Sequence, residues 1–271
     1  MSKVYRIGII GCGGIANGKH FPSLSKLKNV ELVAFCDIEK ERAEEAAEKY
    51  GTENAKVYTD YTALLEDHTI DIIHVLTPNE SHAEISIASL EAGKHVMCEK
   101  PMAKTAADAK RMVEAAERTG KKLTIGYNNR FREDSLYLKK LCEEGQLGHI
   151  YYAKAHAIRR RAVPTWGVFL DEEKQGGGPL IDIGTHALDL TLWMMDNYKP
   201  KVVLGTKYHE LSQRENAANA WGPWDPEKFK VEDSAFGMIV MENGATIMLE
   251  SSWALNSLDV DEAKCSLSGT E

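Results

Sequence analysis

Short apolar runs alternate with helical patterns over the first half of the chain, and this alternation restricts the fold more than any other feature. The apolar runs lie at residues 4–10, 30–36, 70–77, 94–98 and 122–127, and the helical patterns lie at 39–50, 81–92 and 106–119. Continuous apolar strands joined by helices predict βαβ units and a parallel sheet that is covered on both faces. With right-handed crossovers, residues 1–125 are expected to form a doubly wound α/β domain.

The pattern changes after residue 125. Helices are predicted at 133–144 and 180–195, and strands at 150–161, 201–209, 234–241 and 245–252, with Asn243-Gly244 as a hairpin turn. The second helix has an apolar stripe of Leu180, Ile183, Ala187, Leu190 and Met194. Residues 126–271 are therefore expected to form an α+β domain with a mostly antiparallel, open-faced sheet. The polar stretch 210–232, which holds Trp221 and Trp224, is long enough to suggest a functional or interface loop.

Composition excludes several classes of protein. The chain of 271 residues has 41 acidic and 33 basic side chains, and its net charge of −8 argues against binding to nucleic acid or to an anionic membrane. No apolar run is long enough for a transmembrane helix, and the first residues lack the apolar stretch of a signal peptide. The five cysteines form no CxxC pair. We expect reduced, structural cysteines and a cytoplasmic protein.

The first candidate motif follows the first predicted strand directly. Residues 11–16 read Gly-Cys-Gly-Gly-Ile-Ala, which matches GxGxx(G/A). A dinucleotide site needs Gly11 for a tight turn, Gly13 for close approach of the backbone to a pyrophosphate, and a small residue such as Ala16 for helix packing. Gly14 and Ile15 complete the cofactor turn. A glycine-rich turn without a ligand is the alternative, but the position between a strand and a helix favours the dinucleotide site.

Asp37 ends the second predicted strand, where an acidic side chain binds the adenosine ribose hydroxyls. Its neighbours Ile38 and Glu39 offer no cation for a 2′-phosphate, so NAD is favoured over NADP. Arg42 lies close enough in sequence to leave NADP as the less favoured alternative.

Two further turns follow predicted strands at the edge where ligands of doubly wound sheets bind. One is Glu99-Lys100-Pro101, in which Lys100 could donate to a substrate oxygen. The other is Thr77-Pro78-Asn79, with His82 nearby. Each turn taken alone is also compatible with a solvated lysine or with a helix N-cap at Asn79.

A third motif lies on the predicted helix 180–195. Asp182 and His186 are four residues apart, and Asp189 follows three residues later, so all three are expected on one helical face opposite the apolar stripe. A carboxylate beside an imidazole forms a pair that can accept a proton near neutral pH, and Gly184 leaves room between them. A capped helix with incidental polar residues is the alternative. A metal site is disfavoured because no further histidine or cysteine cluster supports it.

Together these motifs resemble the Gfo/Idh/MocA family of nicotinamide-dependent oxidoreductases. The resemblance spans nearly the whole chain and includes Val231-Glu232-Asp233 before a predicted strand. It implies a Rossmann domain followed by a substrate-binding and oligomerisation domain, with a cis peptide bond before Pro101. It also implies Lys100, Asp182 and His186 as the catalytic trio. The resemblance further implies cofactor contacts from the turn residues and from a segment that matches one near the nicotinamide. These contacts are Gly11, Gly13, Gly14, Ile15, Asp37, Thr77, Pro78, Asn79, His82, Glu99, Lys100 and Asn128.

The implied reaction is hydride transfer between a nicotinamide cofactor and a secondary alcohol or ketone of a sugar, polyol or related compound. His186 is the expected acid/base, Asp182 orients it, and Lys100 holds the reacting oxygen. Substrate contacts are expected from Arg130, Arg159, Arg161 and Trp166, although each arginine could equally be a solvated strand end.

Two other functions remain open at this stage. The first is a glycoside-cleaving enzyme that retains its NAD and acts by transient oxidation and elimination, and the second is a non-catalytic nucleotide-binding sensor. The family resemblance also implies a homodimer or homotetramer. Because residues 263–271 resemble an internal strand and turn of the family, we further expect that the second domain as given lacks its last strands and helix.

Overall fold

The structure is a computed structural model that describes residues 3–215 and 218–271. The chain divides into two compact units, Met1–Gly126 and Tyr127–Glu271. Within the described residues, every helix is too short or too polar to cross a lipid bilayer.

The first unit contains one six-stranded parallel sheet in the order β3-β2-β1-β4-β5-β6. This order, with the change of direction between β1 and β4, is that of the Rossmann fold and confirms the predicted doubly wound domain. The strands are β1 (Tyr5–Ile10), β2 (Val30–Cys36), β3 (Lys56–Tyr58), β4 (Ile72–Val75), β5 (His95–Cys98) and β6 (Leu123–Ile125). The helices are α1 (Phe21–Leu24), α2 (Lys40–Tyr50), α3 (Tyr61–Leu65), α4 (His82–Glu91) and α5 (Ala106–Thr119).

Strand burial explains the continuous apolar runs. Residues 7–10 of β1 and 32–36 of β2 are buried throughout, because helices pack on both faces of the sheet. The β3 strand and α3 were not predicted from the sequence. The β3 strand is only three residues long and lies at the sheet edge with no buried position, so it carries no apolar pattern.

The second unit contains a five-stranded mixed sheet in the order β11-β7-β10-β9-β8, in which only the β7–β10 pair is parallel. The predicted α+β class with a mostly antiparallel sheet is thereby confirmed. The strands are β7 (Tyr152–Ile158), β8 (Pro200–Tyr208), β9 (Ser234–Met241), β10 (Thr246–Ser252) and β11 (Asp261–Ser268), and the helices are α6 (Glu133–Glu143), α7 (Glu172–Gln175) and α8 (Thr185–Met195).

Burial differs between the strands of this sheet. Ala153, Ala155 and Ala157 of β7 are fully buried, and α8 packs against β7 and β11. Small side chains on β7 therefore allow the helix to lie close to the sheet. At the opposite edge, all nine residues of β8 are exposed, including Val203 and Leu204.

The helix predicted at 180–195 is not uniform. Leu180–Gly184 forms a π-helical turn that leads directly into α8. Ile183, Ala187, Leu190 and Met194 are buried as the stripe predicts, but Leu180 is exposed. The wider π turn changes the angular position of Leu180 relative to the stripe, which explains this difference. It also leaves Asp182 buried, although the sequence placed it opposite the apolar side.

Candidate active site

The turn after β1 has the backbone that its glycine pattern requires. Gly11 adopts a left-handed φ of +95°, and a Cβ atom at this position would lie 2.6 Å from the carbonyl oxygen of Leu76. The Gly11 amide donates to the carbonyl of Cys36 at 2.8 Å, which joins the ends of β1 and β2. Ala16 is completely buried, so its small size serves packing as expected. Gly11 and Ala16 therefore have structural roles in this turn.

Gly13 and Gly14 differ from Gly11, because a Cβ atom on either would meet nothing within 4 Å. Neither packing nor a positive φ explains these two glycines. The space in front of them is open for a ligand that approaches the backbone closely, as a pyrophosphate does. Ile15 next to them is 41% exposed. Asn17 closes the turn by donating from Nδ2 to the carbonyls of Cys12 and Gly13.

Asp37 lies at the carboxyl end of β2 and is only 8% exposed. Its carboxylate accepts the Cys12 amide at 2.8 Å and the Glu39 amide at 3.0 Å, which places it directly beside the glycine turn. A carboxylate has about four lone-pair positions, so it can still accept ribose hydroxyls. The guanidinium of Arg42 is paired with Glu39 at 3.0 Å. Open glycines beside a buried carboxylate fit a dinucleotide such as NAD.

His82 connects the turns that follow β4 and β5. It is 1% exposed, and its ring nitrogens contact the carbonyl oxygens of Pro101 at 2.8 Å and Thr77 at 2.9 Å. Burial lowers the pKa of His82, although the two carbonyls act in the opposite direction. The peptide bond between Lys100 and Pro101 is cis, as the family resemblance implies. The structure thus brings the Thr77-Pro78-Asn79 and Glu99-Lys100-Pro101 turns together through His82.

Glu99 has a partner that the sequence analysis missed. Its Oε1 lies 2.7 Å from Nε2 of His20, and its Oε2 accepts the Lys100 amide at 3.1 Å. Burial raises the pKa of Glu99, but His20 and Lys100 outweigh this effect and hold the pKa below its usual value. His20 also meets the buried ring of His74 edge to face at 5.6 Å. Only its position shortly after the glycine turn could have suggested His20.

In the second unit, Asp182 is 5% exposed and accepts a hydrogen bond from the indole Nε1 of Trp253 at 3.0 Å. Nη1 of Arg159 lies 4.0 Å from the same carboxylate oxygen. A buried carboxylate needs such donors and positive charge to remain ionised. His186 lies in the first turn of α8, where its ring meets that of Tyr127 edge to face at 6.1 Å. Trp253, at the end of β10, was not predicted as a partner of Asp182.

Glu232 fixes the start of this helical segment. Its carboxylate accepts hydrogen bonds from the backbone amides of Gly178 at 2.9 Å and Leu180 at 3.3 Å. N–H groups at the start of a helix have no carbonyl acceptor within the helix, and Glu232 supplies one here. Gly184 faces β10, where a Cβ atom would lie 2.9 Å from Oγ of Ser251. The close approach that Gly184 permits is therefore an approach of the π-helical turn to the sheet.

The predicted substrate residues have different environments. Both Nε and Nη2 of Arg130 donate to the carboxylate of Asp189, and its guanidinium lies over the rings of Tyr127 and Trp193. Arg161 donates to Asn256 at 3.0 Å. Trp166 is 51% exposed. Asn128, which the family resemblance predicts as a cofactor contact, is exposed at the start of a short 3₁₀ turn.

The described residues contain no group of three or more histidine, cysteine or acidic side chains that could hold a metal ion. All five cysteines are free thiols. Burial is the main reason that the pKa values of Cys12, Cys36 and Cys98 rise to about 12. These thiols therefore stay protonated, as expected for structural cysteines.

Comparison with known families agrees with the folds of both units. Residues 5–127 match an oxidoreductase family with an NAD-binding Rossmann fold, and residues 135–271 match the GFO/IDH/MocA C-terminal domain. The chain belongs to the Gfo/Idh/MocA family of oxidoreductases, which confirms the resemblance drawn from its motifs.

Two characterised relatives indicate the chemistry found in this family. The chain is 41% identical over 255 residues to D-glucoside 3-dehydrogenase of Escherichia coli (strain K12), covering 94% of this chain and 72% of that enzyme. It is 32% identical over 196 residues to inositol 2-dehydrogenase of Salmonella typhimurium, covering 72% of this chain and 56% of that enzyme. The match therefore spans little more than half of the inositol dehydrogenase.

Solved structures show the same fold. The aldose-aldose oxidoreductase from Caulobacter crescentus, complexed with glycerol, matches with a TM-score of 0.81 at 27% identity, over 98% of this chain and 75% of that one. Levoglucosan dehydrogenase in complex with NADH and levoglucosan matches with a TM-score of 0.82 at 26% identity, over 99% of this chain and 72% of that one.

Substitution of two glycines should separate the packing and binding functions of the glycine turn. We expect Gly13→Ala to change the free energy of unfolding by less than about 0.5 kcal/mol, because its Cβ meets no protein atom. The same change should weaken NAD binding at least about tenfold, since the methyl group fills the space that the pyrophosphate needs. Gly11→Ala should instead lower stability by more than about 1 kcal/mol. Urea denaturation and calorimetric titration with NAD measure both effects, and unchanged NAD affinity in Gly13→Ala would contradict the binding role.

Proposed function

We propose that this protein is an NAD-dependent dehydrogenase or reductase that acts on a secondary alcohol or ketone of a sugar, polyol or related compound. The observation that carries the proposal is the Asp182–His186 segment. Its carboxylate is buried, held by the indole of Trp253, and placed one helical turn before an imidazole. The names of the relatives support a carbohydrate substrate, since they include a glucoside dehydrogenase and an inositol dehydrogenase.

The proposed roles follow from the chemistry of each side chain. His186 takes the proton from the reacting hydroxyl, or returns it when a ketone is reduced. Asp182 stabilises the positive charge that His186 then carries. Lys100 donates to the reacting oxygen and favours its alkoxide-like form. When bound, the nicotinamide supplies the hydride acceptor or donor.

The proposed cofactor contacts are the open glycine turn, Asp37, the two turns that His82 connects, and Asn128. Gly13 and Gly14 support a pyrophosphate position because nothing else in the described residues fills the space before them. Asp37 supports recognition of ribose hydroxyls because its carboxylate lies beside this turn. The pairing of Arg42 with Glu39 supports NAD rather than NADP.

Substrate binding is proposed for Arg130, Arg159, Arg161 and Trp166. Arg159 is supported by its place beside the Asp182 carboxylate, 4.0 Å away, although Glu262 accepts from its Nε and Nη2. Arg130 is engaged by Asp189, so its contribution is proposed to be indirect, through the position of Tyr127 beside His186.

We further propose that residues 1–125 bind the cofactor and that residues 126–271 bind substrate. The protein is also proposed to act in the cytoplasm, where its five free thiols stay reduced.

Replacement of the proposed acid/base should abolish most turnover. We expect His186→Ala to lower kcat by about 10²–10⁴-fold, the usual contribution of general acid–base catalysis. Lys100→Met should also lower kcat strongly. The exposed residues His149 and Lys110 provide matched controls as His149→Ala and Lys110→Met. Rates are measured with a panel of sugars, glycosides and polyols by the absorbance of NADH. Near-normal kcat in His186→Ala would refute its role, and release of an aglycone without net NADH would favour the glycoside-cleaving alternative.

Replacement of Asp37 should change the choice of cofactor. In Asp37→Ala the carboxylate that accepts ribose hydroxyls is lost, so NAD should bind at least several-fold more weakly while NADP is less affected. Fluorescence titration of wild-type and variant protein with NADH and NADPH measures the ratio of the two dissociation constants. A wild-type protein that binds NADPH more tightly than NADH would contradict the proposal.

The exposed edge strand β8 suggests a homo-oligomer. Val202, Val203 and Leu204 are 52%, 68% and 65% exposed, and adjacent apolar residues exposed on a strand are typical of association surfaces. Light scattering after size exclusion should give a mass that is a multiple of the 30.2 kDa chain. A monomer at micromolar concentration would contradict this expectation.

A further inference from the structure

Four aromatic side chains form a continuous array in the second unit, from the proposed catalytic carboxylate to the protein surface. Trp253, Phe169, Trp166 and Trp221 meet in that order, with ring-centroid distances of 6.4, 5.9 and 4.9 Å. The buried end is Trp253, whose indole donates to Asp182. The outer end is formed by Trp166 and Trp221, which are 51% and 43% exposed.

Arg159 makes a second, shorter connection between the same two places. Its guanidinium lies 5.1 Å from the ring centroid of Trp221, within range of a cation–π interaction. Nη1 of the same guanidinium lies 4.0 Å from Oδ2 of Asp182. The exposed indole of Trp221 is therefore separated from the proposed catalytic carboxylate by the width of one guanidinium group.

Hydrogen bonds fix the segment that carries Trp221 in place. The Ala220 amide donates to the carbonyl of Arg161 at 2.9 Å, and Thr165 Oγ1 donates to the carbonyl of Trp221 at 2.8 Å. Asn219 pairs through its side chain with both the amide and the carbonyl of Val163, at 2.8 and 2.9 Å. Part of the long polar loop at 210–232 is thus attached to the segment that contains Trp166. The two indoles are held edge to face, with their planes 75° apart, and both remain partly exposed.

Two partly exposed indoles that are held in this way offer apolar ring surface to a ligand. Indoles bind the faces of other rings well, because such contacts bury much area at low conformational cost. A sugar ring presents C–H groups on its faces, and an aromatic aglycone presents a π face. Trp221 lies one guanidinium width from Asp182. A ring bound at the indoles would therefore be next to the sugar whose hydroxyl Asp182 and His186 would serve.

We propose that Trp166 and Trp221 form a stacking platform for a second ring, attached to the sugar that reacts. This proposal rests on the proposed function and makes it more specific. The preferred substrate is then a glycoside whose aglycone carries a sugar or aromatic ring, and not a free monosaccharide or an inositol. Arg159 holds one side of Trp221 and extends the platform toward the reacting sugar.

The test compares two glucosides that differ only in whether the aglycone is a ring. The purified chain and its variants are assayed with NAD and either phenyl or methyl β-D-glucopyranoside, and the ratio of the two kcat/KM values is determined. Wild-type protein should prefer the phenyl glucoside. Trp221→Ala and Trp166→Ala should each lower the ratio by roughly 3- to 10-fold, the size of an aromatic stacking contact. Trp221→Phe should retain most of the preference, because a ring remains.

Tyr137→Ala serves as the control, since Tyr137 is 65% exposed on α6 and is not a member of the aromatic array. Thermal unfolding shows whether each variant is folded, and Trp221→Phe keeps the test valid if an alanine variant is not. Ratios that stay at the wild-type value in both alanine variants would overturn the proposal. A fall in the ratio that Trp221→Phe largely restores would support it.

A binding experiment separates failure of this proposal from failure of the proposed function. Calorimetry with phenyl β-D-glucopyranoside in the presence of NADH requires no turnover. If no sugar or glycoside is oxidised, the proposed function fails, but weaker binding to Trp221→Ala than to wild type would still support the platform. If glucosides are oxidised while both proteins bind and turn over the phenyl glucoside equally, the proposed function stands and the platform is refuted.

Discussion

The free N–H groups at a helix N-terminus need acceptors, and Glu232 supplies them for the segment that carries Asp182 and His186. Its carboxylate accepts the amides of Gly178 and Leu180, and its backbone carbonyl would lie 2.0 Å from a Cβ atom on Gly178. Glycine is therefore required at the position where the chain passes Glu232. This contact anchors the start of the π-helical turn, which carries Asp182 beside Trp253, the residue that directly follows β10.

The adjacent Asp233 has a related role. Its carboxylate accepts the amides of Leu211 and Ser212, both at 2.8 Å, and the hydroxyl of Ser234 at 2.9 Å. The Val231-Glu232-Asp233 motif thus anchors the helical segment through one carboxylate and the start of the long polar loop through the next. Ser212 in turn accepts the indole hydrogen of Trp224, which is buried. The motif is structural, and it fixes the segments that carry the proposed site.

Local patterns in the sequence predicted the parts of the structure that depend on local physics. Burial on both faces makes β1 and β2 continuously apolar, and a left-handed φ requires Gly11, so both features were visible. The short β3 strand has no buried position and left no pattern. The π-helical turn at Leu180–Gly184 was also missed, because its geometry depends on Glu232 and on the contact between Gly184 and Ser251. Both partners lie far along the chain from this turn.

Side-chain pairings between distant residues could not be predicted for the same reason. His20 and Glu99 are 79 residues apart, and Asp182 and Trp253 are 71 apart. Arg130 was expected to contact substrate, but nothing in its sequence pattern indicated that Asp189, 59 residues later, would accept from its guanidinium. The sequence thus indicated candidate groups for chemistry, whose roles remain proposals. It did not predict which of them the fold would pair with each other.

In the proposed mechanism, the position of Arg159 would affect how well Asp182 stabilises a protonated His186. At an effective dielectric constant of about 20, unit charges 4 Å apart interact by about 4 kcal/mol, so a guanidinium serving Asp182 alone would neutralise much of its charge. Arg159, however, donates Nε and Nη2 to Glu262 at 2.5 and 2.8 Å, and only Nη1 lies 4.0 Å from Asp182. Because Glu262 takes the two short contacts, only part of the Arg159 guanidinium faces Asp182, and in the proposed mechanism the carboxylate would still stabilise the imidazolium.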